Sequence, residues 1–151
     1  MIEFMKKLQP PTYLWISIGL MVVLHFLIPV KKLVPWPWNL LGILPLALGA
    51  VTNLLADQAF HKAGTTVKPF QESTFLITDG VFRISRNPMY LGFVLILIGI
   101  AILMGSISPI LIILLFAILM DKIFIQVEEQ MLAEKFAETW LDYRRQVRRW
   151  I

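Results

Sequence analysis

The sequence predicts an all-α integral membrane bundle of about four transmembrane helices, the last two a tight hairpin, followed by a C-terminal amphipathic helix. Three observations carry that prediction. Hydrophobic residues make up 58% of the 151 positions and charged residues only 16%, against roughly 45–50% and 25% in soluble domains. Mean hydropathy is +0.73. The apolar residues also fall in long uncharged runs separated by short polar segments, the pattern of membrane spans rather than of a soluble core.

The first run, residues 13–30, is interrupted only by Ser17 and His25 and approaches the ~20 residues that cross a hydrocarbon core. No small-x-small cleavage site follows it, so it is expected to be retained. Lys31-Lys32 and Pro35-Trp36-Pro37-Trp38 form a turn whose tryptophans suit the headgroup region. The second span is expected over 39–57, with Pro45 kinking it. From Asn87 to Met120 there is no formal charge. As one helix that run would be about 50 Å long against a core of about 30 Å, so it must fold back. Gly105-Ser106-Ile107-Ser108-Pro109 is the natural break, giving spans at about 88–104 and 109–127. The tail 128–151 repeats Glu128, Leu132, Phe136, Trp140, Tyr143, Val147 and Trp150 at steps of four and three, an amphipathic helix able to lie at the interface. Its Arg144-Arg145 and Arg148-Arg149 pairs are expected to be interfacial anchors.

The whole chain, 1–151, reads as one domain. Four crossings put both termini on one side. Nearly all the lysines and arginines join them there, leaving Lys31 and Lys32 opposite, so that side is expected to be cytoplasmic. The net charge of +4 then reflects orientation and anionic headgroups rather than nucleic acid. The chain has no cysteine and only two histidines, His25 and His61, which argues against a metal centre. His25 is expected to be a hydrogen-bonded packing residue, and Asp57 and His61, four apart, a local pair. The 60–86 linker, with Gly64-Thr65-Thr66-Val67-Lys68-Pro69-Phe70 and Thr74-Phe75-Leu76-Ile77-Thr78, is long enough to expect function, and its apolar residues favour a packed lid.

The hairpin brings two polar segments together. Span four returns Glu128 and Glu129 close to Arg83, Arg86, Asn87, Pro88, Tyr90 and Gly92, and ionisable groups beside hydrocarbon mark a functional site by default. A structural salt-bridge cluster is the competing reading. Gly92 would admit a close backbone or a flat ligand, and Tyr90 offers a ring and a hydroxyl at interface depth.

Arg86-Asn87-Pro88-Met89-Tyr90-Leu91-Gly92, the preceding Thr78-to-Ser85 stretch, the Gly64-to-Phe70 segment, and the Glu128-Glu129 tail together resemble the isoprenylcysteine carboxyl methyltransferase and phospholipid methyltransferase superfamily, chiefly its small prokaryotic members. The resemblance covers roughly Ala63 to Ile151. Relatives usually carry histidine where Asn87 stands, and asparagine keeps donor and acceptor capacity but loses a titratable ring. Many also have a glycine and a tyrosine within the stretch Phe136-Ala137-Glu138-Thr139-Trp140. The resemblance implies an S-adenosylmethionine-dependent methyltransferase acting on a lipophilic or amphiphilic acceptor at the cytoplasmic face of a prokaryotic inner membrane. By the same resemblance, Arg86, Asn87, Pro88, Tyr90 and Gly92 line the cofactor pocket and Glu128 and Glu129 form its acidic side. A sulfonium and an ammonium suit carboxylates, and a carboxylate suits arginine. Arg83 or Arg86 would orient an anionic acceptor, and Glu128 or Glu129 would assist a protonated amine. A non-catalytic membrane adaptor is the alternative suggested by Asn87. A small four-helix transporter fits less well, because the spans hold no midplane carboxylate.

Overall fold

The computed structural model describes residues 8–28, 32–65 and 73–151. Lys6, Lys7, Lys31, Lys68, the end of the first predicted span and most of the Gly64-to-Phe70 motif lie outside the described residues. Among the described residues five α-helices follow in order: α1 (Pro10–Leu27), α2 (Ile43–Ala63), α3 (Pro88–Met104), α4 (Ser108–Met120) and α5 (Gln126–Gln146). Short 3-10 turns at Trp38–Gly42 and Gly80–Arg83 lead into α2 and toward α3, and a π-helical turn, Asp121–Ile125, joins α4 to α5 without a break. Among the described residues there is no strand.

Among the described residues three helical stretches are long and apolar enough to cross a membrane, Pro10–Leu27, Trp38–Ala63 and the continuous Ser108–Gln146, and α3 is a shorter apolar helix. Prolines open α1, α3 and α4, where the missing N–H would have had no intrahelical partner. Gly64 and Gly105 end α2 and α3 with φ of 60° and 70°, the left-handed conformation a helix C-terminus favours in glycine. Pro45 falls in the first turn of the regular α-helix, which begins at Ile43 directly after the 3-10 turn, a position that tolerates proline.

The most extensive packing is between α2 and α3; α1 rests on α4 and, less broadly, on α3. Two glycine pairs set the α2–α3 distance. A Cβ on Gly49 would lie 2.5 Å from the Gly92 carbonyl oxygen, and one on Gly99 would lie 2.6 Å from Leu46 Cβ, while Gly42 faces the Gly99 carbonyl. The seven-residue spacing on both helices keeps these pairs on one antiparallel seam. Gly92 therefore serves helix packing, against Gly49 and Asn53.

One end of the bundle is tied by Leu33 N–H donating to the Gly105 carbonyl at 2.8 Å and Asn39 Nδ2 to the Leu103 carbonyl at 3.0 Å. His25 Nδ1 bonds Ser106 Oγ there at 2.7 Å, the packing role expected of it. The opposite end carries residues 73–87 and the C-terminal segment. There Ala56, Ile77, Phe82, Trp140, Tyr143 and Val147 form a second apolar core, so Ile77 and Phe82 of the linker are packed while Phe75 is exposed. Asp57 and His61 pair at 3.5 Å on the exposed surface of α2.

The amphipathic helix expected over 128–151 is present as α5, with different bounds. Helix runs from Ser108 through Glu128 without interruption, bends at Ala137 (φ 42°, ψ −112°) and stops at Gln146. The π turn accommodates an extra residue per turn, which rotates the faces of the helix beyond it, and the bend at Ala137 then directs Trp140 and Tyr143 into the second core.

Candidate functional site

Residues 85–87, the start of α5 and the extended C-terminal segment meet at this second end. The backbone N–H of Arg86 donates to the Arg148 carbonyl at 3.0 Å, Ser85 Oγ to the Arg149 carbonyl at 3.1 Å, and Asn87 Nδ2 to the same carbonyl at 3.2 Å. Tyr143 Oη reaches the Phe82 carbonyl at 2.6 Å. The C-terminus is thereby laid across the entry to α3.

At the centre is Glu129, buried to 8% exposure. Its Oε1 accepts from Arg86 Nε at 3.1 Å and Nη2 at 3.0 Å, and from Asn87 Nδ2 at 3.4 Å. Its Oε2 accepts from Arg149 Nε at 3.1 Å and Nη2 at 2.6 Å. Arg149 Nη1 goes on to Asp121 Oδ1 at 3.0 Å. Arg86 Nη1 donates to the carbonyls of Arg144 and Val147, and the guanidinium carbon lies 5.6 Å from the centre of the Trp140 ring. Two arginines thus balance two carboxylates, with nearly every donor of Arg86 engaged. Hydrogen bonds from Arg149 to Glu129, despite partial desolvation, raise its pKa further, so its charge is fixed.

Glu128 lies outside this balance. Half-buried, it accepts a hydrogen bond from Tyr90 Oη at 2.8 Å, and no ion pair reaches it among the described residues. Beside it opens a cavity of about 220 Å³ lined by Arg86, Asn87, Tyr90 and Glu128 at one pole and by Pro10, Pro11, Phe60, Phe82, Pro88, Met89 and Phe93 around the rest, with Gln9 at the rim. The cluster contributes no net charge, so Glu128 is the carboxyl at this cavity that no ion pair engages among the described residues, and a cationic ligand beside it would favour its ionised form.

Of the residues singled out from sequence, Arg86, Asn87, Pro88, Tyr90 and Glu128 line the cavity. Glu129 stands behind it, closed off by its arginines. Gly92 faces α2. Arg83 is on the surface: its side chain is 76% exposed and pairs with Asp79 at 3.2 Å one turn away. Sequence reasoning misses Arg149, which it reads as an interfacial anchor, and Asp121. Asp121 is the first charge after a long apolar run, and that position is signal enough to question it. Nothing in the Arg144-Arg145 and Arg148-Arg149 pairs distinguishes the member that turns inward. Among the described residues no group of His, Cys, Asp or Glu could hold a metal ion.

The sequence profile of phospholipid methyltransferases matches residues 38–139. The chain is also 35% identical over 114 residues to a curated protein-S-isoprenylcysteine O-methyltransferase of Saccharomyces cerevisiae, an alignment covering 72% of this chain and 46% of that protein. The chain thus spans about half the length of the curated relative it matches. No solved structure matches. With the motif from Arg86 to Gly92, the hairpin and the paired glutamates all inside the matched region, the chain belongs to the phospholipid methyltransferase family.

Proposed function

We propose that this chain is an S-adenosylmethionine-dependent methyltransferase that transfers a methyl group to a lipophilic or amphiphilic acceptor. The observation that carries the reading is Glu128, a carboxyl at the cavity wall that accepts from Tyr90 and has no ion pair among the described residues. When bound, S-adenosylmethionine supplies a methyl carbon made electrophilic by a sulfonium, and the same molecule carries an ammonium. Either cation suits Glu128. Tyr90 orients that carboxylate by its hydrogen bond. Asn87 and Arg86 form the adjoining wall, and Met89, Phe82 and Phe93 exclude water from the remainder, where proximity and desolvation lower the barrier to displacement.

Arg86 is a poor candidate for holding an acceptor carboxylate, because its donors already serve Glu129 and two carbonyls. Its role is to fix the site's geometry. The cavity is smaller than the ~300–1,000 Å³ of sites that enclose a drug-sized ligand, so a cofactor of this size extends through its mouth. The site end is assigned to the cytoplasmic side, supported by exposed Lys62, Arg83, Lys122, Arg144, Arg145 and Arg148 there and by Lys32 at the other end, bridged to Ser106, as the distribution of basic residues across a membrane requires.

Calorimetric titration of the detergent-purified protein with S-adenosylmethionine, and with its demethylated product, tests the reading. Saturable binding that weakens in Glu128→Gln is expected. A folded sample that binds neither compound would overturn it.

A further inference from the structure

The last turn of α5 and the chain beyond it face two ways. Inward, the carbonyls of Arg144 and Val147 accept from Arg86 Nη1, the Arg148 carbonyl from the Arg86 amide, and the Arg149 carbonyl from Ser85 Oγ and Asn87 Nδ2. The backbone of one short segment thus holds the residues that open α3, and Arg86 and Asn87 belong to the polar wall of the cavity. The side chains of the same segment divide. Val147 is buried in the second core and Arg149 is clamped on Glu129, whereas Arg144, Arg145 and Arg148 are exposed. Arg145 pairs with Asp142 at 3.5 Å across the surface. Arg144 and Arg148 make no ion pair among the described residues. Exposed hydrocarbon lies close to them in the chain, at Leu141 and Ile151, and Trp150 packs against the core that α1, α3 and α4 share. A segment seated on a membrane-spanning core by its tryptophan, with guanidinium groups and apolar side chains both turned outward, suits the boundary between acyl chains and headgroups.

We infer that the outward face of residues 144–151 is a docking surface for anionic phospholipid headgroups, and that their binding holds this segment down on the entry to α3. Charge and depth set the occupant. A headgroup phosphate presents oxygens that a planar guanidinium takes in pairs, and a lipid brings hydrocarbon to Leu141 and Ile151 as well. A zwitterionic headgroup carries its own cation beside the phosphate and competes poorly for an arginine. Because the inward carbonyls and the outward arginines belong to the same segment, a lipid bound outside is lost when the segment lifts. Anionic lipid therefore stabilises the wall made by Arg86 and Asn87, and retention of a ligand in the cavity becomes sensitive to the surface charge of the bilayer. The docking surface stands without the methyltransferase reading, which says only what the cavity retains.

Amide hydrogen exchange at Arg86, resolved by fragmentation mass spectrometry on the full chain in lipid nanodiscs, tests this. That N–H is bonded to the Arg148 carbonyl, so its exchange reports lifting of the segment. Changing from pure phosphatidylcholine to an equal mixture with phosphatidylglycerol is expected to slow exchange about tenfold, as two basic side chains at an anionic surface allow, and high salt is expected to abolish the difference. Arg144→Gln combined with Arg148→Gln should remove the lipid dependence and leave exchange in the neutral bilayer unchanged. Lys62→Gln combined with Lys122→Gln takes the same charge from exposed positions at the same end of the bundle and should preserve it. Equal exchange in the two bilayers overturns the inference, as does loss of the dependence in both pairs of variants, which would make it an effect of net charge. Protection reproduced in the neutral bilayer by millimolar inorganic phosphate overturns it too, because the arginines would then take a free anion rather than a lipid. Binding of S-adenosylhomocysteine, measured on the same samples, reports separately on the methyltransferase reading: its absence with lipid-dependent protection intact defeats that reading and leaves the docking surface standing.

Discussion

Glu128 and Glu129 are adjacent in the chain and opposite in electrostatic circumstance. Glu129 accepts hydrogen bonds from Arg86, Asn87 and Arg149, whereas Glu128 accepts one from neutral Tyr90. Successive helical residues point about 100° apart, so one turn of α5 presents one carboxylate to a structural clamp and the other to a cavity.

The two glutamates should therefore respond differently to the same substitution. Glu129→Gln leaves Arg86 buried at 7% side-chain exposure without its counter-ion, a class of change costing about 3–5 kcal/mol, visible as a large fall in the thermal midpoint in detergent. Glu128→Gln breaks no ion pair among the described residues and keeps an oxygen to accept from Tyr90, so it should hold or raise that midpoint. Its cost falls on ligand affinity, which drops about tenfold to a hundredfold for a lost charge-assisted bond of ~1.5–3 kcal/mol. Equal destabilisation by both variants would contradict the division of roles.

Arg83 is attractive in the sequence because it precedes Arg86 by three residues and shares its charge. In the structure the pair Arg83–Asp79 is exposed on both sides, 76% and 83%, and such surface pairs contribute well under about 1 kcal/mol. Arg83→Gln should leave the thermal midpoint and S-adenosylhomocysteine affinity unchanged within error. A marked loss of affinity would return Arg83 to the site.

The hairpin is legible because Gly105 and Pro109 interrupt an uncharged run too long for one crossing, and the proximity of Glu128 to Arg86 comes from that fold-back alone. Positions determined by periodicity and punctuation can be read in advance. Arg149 cannot, because its role depends on the chain reversing after Gln146, and a run of four arginines within six residues has no local signal for which one is enclosed. The amphipathic helix expected at the C-terminus is present, and its bounds shift for a related reason. A π turn keeps helix going through Asp121–Ile125, and its register shift has no compositional signature. The glycines at 42, 49, 92 and 99 carry a seven-residue spacing that is present in the sequence, but only their opposition across two helices reveals its purpose.

That opposition distinguishes glycines that look alike. A Cβ on Gly49 meets the Gly92 carbonyl at 2.5 Å and Ile96 N at 2.9 Å, while one on Gly19 meets nothing within 4 Å. Gly49→Ala should separate α2 from α3 at a cost of about 1–3 kcal/mol. Gly19→Ala should stabilise the protein by up to ~1 kcal/mol through helix propensity. Thermal unfolding of the two single variants gives the comparison, and a tolerated Gly49→Ala would refute the close seam.

Ala137 sits at the bend of α5 with φ 42° and ψ −112°, outside the regions open to residues with a Cβ and strained by about 1–3 kcal/mol. Its side chain is exposed, so nothing is lost by trimming it. Ala137→Gly relieves the strain and returns about 0.4–1 kcal/mol of it as greater unfolded-chain freedom, for a net gain near ~1 kcal/mol. The midpoint should rise by about 2–4 °C. A fall of similar size would mean that α5 runs straight through this position.

Arg149→Lys tests whether the C-terminal clamp depends on charge or on shape. The guanidinium holds Glu129 through Nε and Nη2 and Asp121 through Nη1, three donors in fixed planar directions. An ammonium keeps the charge but concentrates it at one point on a flexible stem and cannot reproduce a fork to one carboxylate with a bridge to another. The expected result is a loss of about 1–3 kcal/mol, between that of a conservative surface change and that of removing a buried charge. The backbone should report the same event. Because Ser85, Arg86 and Asn87 all donate to carbonyls of Arg148 and Arg149, loosening the side chain should increase hydrogen exchange at the Arg86 amide while leaving the amides of α3 beyond its first turn protected. Exchange unchanged at Arg86, with stability intact, would show that charge alone suffices and that the planar geometry of Arg149 has no part in closing the site.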